Sequence, residues 1–529
     1  MSESSKTRKI FQKVSSSPTL PVSEQKESRF DVARLFEGPA GKEEGGGAAA
    51  LDEKLRQAYF WIVNHAIISP HYDIEYQDGP SATFEFGDLK SRLVLPSAQS
   101  YSSFVLIPLL NFAVRQRCLL VGGPGRGKTA TAILMGILAG YSLQEVRRAV
   151  QHGQPQMTIS DLLGNPLPAD LIGAQRMEDI RISWRRWLSM RVKIIDEYNR
   201  IPTRTQSALL TVLADNYAEI LDHLYECPKA AWYLTANDDQ GGGTYQVIEA
   251  LRDRIDVVVR ALHFNSRFFH ELLTRIEEGI APEEVVPAQL IFTAEQMEQV
   301  HQEILAVSLP RPLRRRLEYF SSQFEFFEPG GLQLEYKTKD NLKLSGVARH
   351  LLGDESGKDK LKDLGVQTAN GLSVRAMLGL LTFVKAMAYF RGNREVELED
   401  IRQILPFCLH DKLVPEADAP FFEVPGNQVL RVDRVSWIRR LWDLSCADYD
   451  RLNLDSEDPV GELEAEFGSG LEGLGEPEVK QRLVKIERLL KEWSRGRKLY
   501  GPMYDDILML KYLHQRYTNY LSWLRWSQA

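Results

Sequence analysis

Cys118-Leu-Leu-Val-Gly-Gly-Pro-Gly-Arg-Gly-Lys-Thr-Ala-Thr-Ala-Ile-Leu-Met135 decides how this chain folds. The apolar run from Cys118 to Val121 predicts a short buried strand, and good helix formers begin at Thr129. Between them, Gly122, Gly127, Lys128 and Thr129 fit the spacing G-x-x-x-x-G-K-[ST]. Glycines without a Cβ let backbone N–H groups curl around a phosphate, and the new helix adds about half a positive charge at its N-terminus. Gly122, Gly123, Pro124, Gly125, Arg126, Gly127, Lys128, Thr129 and Ala130 are therefore the candidate cradle. Lys128 is expected to reach the β- and γ-phosphates, and the Thr129 hydroxyl to ligate Mg²⁺. Such a loop points to a nucleoside triphosphate and says nothing of its use.

Strand-like and helical stretches alternate on either side of this loop. Gln156 to Ile159, Val192 to Ile195, Ala231 to Thr235 and Asp256 to Val259 read as strands separated by helices. That order predicts βαβ units and a parallel sheet, in which ligands sit at the carboxyl ends of the strands. Val192-Lys-Ile-Ile-Asp-Glu197 ends in two carboxylates. Asp196 is expected to hold Mg²⁺ through water, and Glu197 to orient the attacking water. Asn237, at the tip of Ala231-Trp-Tyr-Leu-Thr-Ala-Asn237, can hydrogen-bond the γ-phosphate or that water. Leu251-Arg-Asp-Arg-Ile-Asp256 supplies Arg252 and Arg254, and a guanidinium from a neighbouring subunit stabilises transition-state charge. Arg375, in Gly371-Leu-Ser-Val-Arg375, begins a later helix and is expected to approach the same nucleotide from that side.

With 529 residues the chain has room for about three or four domains. Residues 1–50 are polar and Gly-rich and are expected to form a mostly disordered arm. Residues 51–100 form an extension, 101–265 the α/β domain, 266–413 a helical domain with an insertion at 329–370, and 414–529 a second helical domain. In the last, Val479, Leu483, Ile486, Leu490 and Trp493 make one stripe. Ile507, Leu510, Leu513, Tyr517, Tyr520 and Leu524 make another, so two helices are expected to pack together. Four cysteines lacking CxxC spacing argue against a disulfide frame or zinc site. The net charge of −7 does not favour a general nucleic-acid surface. No apolar run approaches about 18 residues, so no membrane segment is expected, and a cytoplasmic protein is.

Together these stretches resemble the AAA+ ATPases and, within them, the MoxR family of the helix-2-insert type. Asp196-Glu-Tyr-Asn-Arg200 with Thr205-Gln-Ser-Ala-Leu-Leu210 is similar to D-E-[IL]-N-R…T-Q-x-A-L-L. Thr235-Ala-Asn237 with Gly243-Thr-Tyr245 resembles A-T-Q-N-P…G-T-Y, and Glu249-Ala-Leu-Arg-Asp-Arg254 resembles E-A-x-x-D-R-F. Gly371 to Ala376 resembles G-x-S-x-R-A, and Leu167 to Gly173 resembles L-P-S-D-x-x-G. Asp238 and Ile255 depart from the family's Pro and Phe, and the termini and 329–370 have no counterpart.

The resemblance covers about 115–413 and implies a parallel-sheet P-loop domain with a helical lid. It assigns Lys128 and Thr129 to Walker A, Asp196 and Glu197 to Walker B, Asn237 to sensor 1, Arg254 (or neighbouring Arg252) to the arginine finger, and Arg375 to sensor 2. It implies ATP and Mg²⁺ bound between sheet and lid, a ring of six subunits, and chaperone-like remodelling of a partner bearing a von Willebrand factor A domain. A nucleic-acid-stimulated motor or loader, and a nucleotide-controlled scaffold or conflict-system switch, are the alternatives.

Overall fold

The computed structural model describes residues 50–528, apart from 89, 174–175, 238–248, 280, 347–362, 457 and 496–498. The expected arm, short of Ala50, therefore lies outside the described residues, as do Asp238, Gly243-Thr-Tyr245 and the insertion tip at Asp354–Gly357.

Five parallel strands form the central sheet: β1 (Arg117–Val121), β2 (Gln151–His152), β3 (Val192–Asp196), β4 (Ala231–Ala236) and β5 (Val257–Arg260). Their order is β5-β1-β4-β3-β2. Near-continuous apolar runs suit strands covered on both faces, and β4 is buried at all six positions. The expected strand over Gln156–Ile159 is not formed. The strand here is Gln151–His152, and Ile159–Leu163 is a short helix. A local hydrogen-bond box explains the difference: the Thr158 hydroxyl accepts from the Asp161 N–H, and the Asp161 carboxylate accepts from the Thr158 N–H.

The helices used below are α1 (Leu51–Trp61), α2 (Ser103–Val114), α3 (Lys128–Leu138), α4 (Thr203–Asp215), α5 (Ala294–Ala306), α6 (Arg311–Ser322), α7 (Val374–Phe390), α8 (Leu398–Leu409), α9 (Arg434–Arg451), α10 (Glu476–Trp493) and α11 (Gly501–Gln528). Every residue of α2 is buried, as expected of a helix apolar all round. It lies between β4 and α7. Its two backbone-directed polar links to β4 are Asn111 Nδ2 to the Trp232 carbonyl (3.0 Å) and Tyr233 Oη to the Pro108 carbonyl (2.8 Å). Asp73 accepts from the Ser103 N–H (2.9 Å) and hydroxyl (2.8 Å), so the extension before α2 is tied to its first turn.

The two terminal stripes meet as their spacing predicts. Val479, Ile486 and Trp493 of α10 share a second apolar core with Leu510, Leu513 and Tyr517 of α11. Trp523 and Trp526 remain exposed. Against the rest of the chain this unit sets an acidic seam. Arg315 of α6 pairs with Asp458, while Asp506 of α11 stands near Asp458, Asp505 and Glu318. Burial, and then those carboxylates, push the Asp506 carboxyl up to about 7 although Arg315 opposes the shift.

An acid whose folded pKa exceeds its unfolded value costs stability as pH rises. The cost begins near pH 4, where the unfolded chain ionises, and is complete above about pH 7. Asp506→Asn is thus expected to raise the unfolding temperature at pH 8, by about 2 °C, and to leave it unchanged at pH 4. Thermal melts at the two pH values check this.

Candidate nucleotide site

The loop between β1 and α3 leaves the sheet at its carboxyl edge, next to the ends of β3, β4 and β5. Gly122 has φ +151°, and a Cβ there would lie 2.7 Å from the Ala261 carbonyl, so a side chain is excluded where the loop crosses β5. Gly127 caps α3 at φ +76°, again in the region glycine favours. Arg126 Nη1 donates to the Ala261 carbonyl at 2.8 Å and holds the loop to the end of β5. Lys128 is buried, and its ammonium donates to the carbonyls of Gly122 (2.6 Å) and Gly123 (2.8 Å) and to Asn237 Oδ1 (3.0 Å).

The carboxylates stand beside it. Thr129 Oγ1 donates to Asp196 Oδ1 at 2.9 Å. Asn237 Nδ2 donates to Glu197 Oε1 at 2.9 Å, and Arg200 pairs with Glu197 Oε2 at 3.2 Å. Hence Lys128, Thr129, Asp196, Glu197 and Asn237, spread over 110 positions of sequence, form two hydrogen-bonded sets side by side, which the Thr235 hydroxyl joins. Adjacent strand order puts them there: β1, β4 and β3 are consecutive neighbours. The oxygen pair of Thr129 and Asp196 is a hard-donor set that suits Mg²⁺, a cation satisfied by one or two protein oxygens with waters and phosphates completing its shell.

Two residues that sequence reasoning passed over shape this group. Glu197 holds φ +53°, a left-handed conformation uncommon for a residue with a side chain. The buried Thr235 hydroxyl donates to Asp196 Oδ1 at 2.5 Å and accepts from the Glu197 N–H at 3.0 Å. On the other flank, Gly153 donates to the Asp196 carbonyl at 2.7 Å, and a Cβ there would fall 2.3 Å from the Glu197 carbonyl. A threonine inside an apolar strand, two residues before its terminal amide, is the signal that could have found Thr235. Nothing local marked Gly153.

A cavity of about 310 Å³ opens beside the loop. Gly125, Arg126, Gly127 and Ala130 form one wall, and Ile67, His71, Phe104, His263 and Leu272 are among the other lining residues. It has the mixture of apolar wall and few polar groups that suits the base and sugar of a nucleotide. The segment 67–71 lies in the extension, where no motif pointed.

The arginines are elsewhere. Asp256, just before β5, accepts from the Arg117 N–H at 3.0 Å at the start of β1. The stretch Arg252–Asp256 therefore lies at the amino edge of the sheet, and β1 crosses the sheet from there to the loop, five residues at about 3.3 Å each. Arg375, expected to face the nucleotide of its own chain, instead pairs with Asp253 between Arg252 and Arg254. The reason is the direction of α7, whose Gly379 packs on Asp256. Arg252 is exposed; Arg254 Nη1 donates to the Ala250 carbonyl (3.1 Å) in its own helical turn. Lys412 also donates to the Asp253 carbonyl, and burial lowers its pKa.

Parts of the chain match known protein families. Residues 117–257 match the family described as ATPase family associated with various cellular activities (AAA), and residues 365–431 match the AAA lid domain. Chaperone MoxR1 of Mycobacterium tuberculosis is 24% identical over 326 residues, which span 61% of this chain and 74% of that protein. A crystal structure of a candidate ATPase from Cytophaga hutchinsonii aligns with TM-score 0.43 and 19% identity, over 64% of this chain and 89% of that one.

A hydrogen bond to a charged group contributes about 1.5–3 kcal/mol, so losing the Thr235 hydroxyl should slow turnover by about 10–100-fold. Thr235→Val is expected to lower kcat for ATP hydrolysis by that factor with KM nearly unchanged, and Thr235→Ser to restore most of it. Steady-state kinetics of the three proteins check this.

Proposed function

We infer that this chain, a MoxR-type AAA+ ATPase, binds ATP at the carboxyl edge of its sheet and couples hydrolysis to chaperone-like remodelling of a partner protein. The observation that carries the reading is the hydrogen-bonded group of Lys128, Thr129, Asp196, Glu197 and Asn237, joined through Thr235. In this reading the loop N–H groups and Lys128 bind the β- and γ-phosphates. Thr129 and Asp196 hold Mg²⁺, which neutralises charge on those phosphates. Glu197, set by Asn237 on one side and Arg200 on the other, orients the attacking water.

The position of the arginines supports assembly. Arg252, Arg254 and Arg375 stand at the edge of the sheet opposite their own chain's loop, which supports their acting on the nucleotide of a neighbouring subunit. Head-to-tail contact of this kind closes into a ring when the rotation allows, and six subunits is the number that likeness to the family supports. Family likeness also supports a partner with a von Willebrand factor A domain. Among the described residues no helix is long and apolar enough to cross a membrane.

Glu197→Gln is expected to lower kcat for ATP hydrolysis at least 100-fold while ATP binding persists. Loss of binding would remove the role given to Glu197. Arg254→Ala and Lys128→Ala are each expected to be inactive alone. Mixed, they should regain a measurable fraction of activity, since one supplies an intact loop and the other an intact arginine. A mixture as inactive as its parts would overturn action between subunits. ATPase activity stimulated by DNA or RNA, with steep salt dependence, would favour a nucleic-acid motor instead.

A further inference from the structure

Between Tyr76 and Ala98 the chain forms a ribbon that leaves the body of the fold. Among the described residues its strands, Ala82–Phe86 and Ser91–Leu95, pair only with each other. Residues directly opposite share a face, so the register Ala82–Leu95, Phe84–Leu93 and Phe86–Ser91 gathers two phenylalanines and two leucines on one side. Thr83–Val94 and Glu85–Arg92 occupy the other. Phe84, Phe86, Leu93 and Leu95 are each between 46% and 57% exposed. A lone two-stranded hairpin is marginal in water, and an apolar face of this size on such a hairpin implies a surface to cover it.

The ribbon's root fixes where that face stands. Tyr76 Oη donates to Asp400 at 2.9 Å, and the Arg391 guanidinium lies 4.0 Å over the Tyr76 ring. Arg391 ends α7, and the segment 67–71 just before the ribbon lines the cavity beside the phosphate loop. The other end of α7, about 25 Å away along a helix of 17 residues, carries Arg375. There Val374 and Leu378, one turn apart, are 77% and 61% exposed. Beside each end of α7 an exposed apolar patch thus stands with half of the proposed nucleotide site. The charges are complementary too: Asp196 and Glu197 at the loop end, Arg252 and Arg254 at the other.

We propose that the apolar face of the 82–95 hairpin docks on a second copy of this chain, against Val374 and Leu378 of α7. The proposal rests on the head-to-tail reading above and adds the contact that holds the two halves of the site in register. The hairpin then acts as a clasp across the subunit boundary, from the chain that supplies the loop to the chain that supplies the arginines.

The test uses the full chain with a slowly hydrolysed ATP analogue and sedimentation velocity as the readout. Phe84→Asp/Phe86→Asp and Val374→Asp/Leu378→Asp alter exposed side chains, and retained binding of a fluorescent ATP analogue verifies that each variant is folded. Each double variant alone is expected to weaken self-association at least 100-fold and to sediment as a single chain. Mixed in equal amounts they should form pairs and nothing larger, because one intact hairpin meets one intact α7 face. If the hairpin variant assembles as the unaltered protein does, the clasp is wrong and the head-to-tail reading survives. If the α7 variant alone forms pairs, hairpin meets hairpin and the proposed partner face is wrong. If the unaltered chain never associates with nucleotide, both readings fall.

Discussion

The buried Thr235 hydroxyl, bridging the Asp196 carboxylate and the Glu197 backbone, is the interaction on which the site depends. It joins the ends of β3 and β4, and the Lys128–Asn237 bond joins β4 to the loop after β1. A parallel sheet places every strand's carboxyl end on one edge, so neighbouring strands deliver their last side chains to a common point. Glu197 can keep a left-handed backbone there because Thr235 holds it from one side and the missing Cβ of Gly153 leaves room on the other. Strain of this kind persists only where surroundings over-determine it.

The same sheet separates the two charges that ATP chemistry needs. Carboxylates and lysine collect at the carboxyl edge; Arg252, Arg254 and Arg375 collect at the amino edge with Asp253 and Lys412. Burial pushes the Asp256 carboxyl up even with Arg117 and Lys412 facing it. The amino-terminal end of α7 is therefore pinned to the amino edge by packing as well as by ion pairing, through Gly379 against Asp256 and Arg375 with Asp253. A rigid amino edge suits the proposed action of these arginines on a neighbour, because a finger's effect on transition-state charge depends on its placement.

The outer elements are tied to this frame by few, specific links. Asp73 joins the extension to α2, Tyr76 joins the ribbon to α8 through Asp400, and Arg315 joins α6 to the terminal helices through Asp458. The terminal pair has an apolar core of its own and meets α6 across a cluster of carboxylates, where burial pushes Asp506 up to about 7. A seam of that chemistry responds to pH more readily than an apolar one.

Several parts of this protein were legible in the amino-acid order itself. The Gly122–Thr129 loop, the carboxylates ending Val192–Glu197 and the amide of Asn237 announce themselves because each lies in a short apolar strand with its chemistry at the tip. The α10 and α11 stripes were equally plain, since helical spacing is local. Tertiary structure alone decided the rest. The edge strand fell at Gln151–His152 because Thr158 and Asp161 closed a hydrogen-bond box. Arg375 went to the amino edge because of the direction in which α7 packs, which no local spacing encodes. Gly153, the cavity wall at 67–71 and the bare face of the 82–95 hairpin likewise depend on neighbours remote in sequence. Chemistry carried by adjacent residues is written in their order; whether two such groups meet is settled by packing over long range.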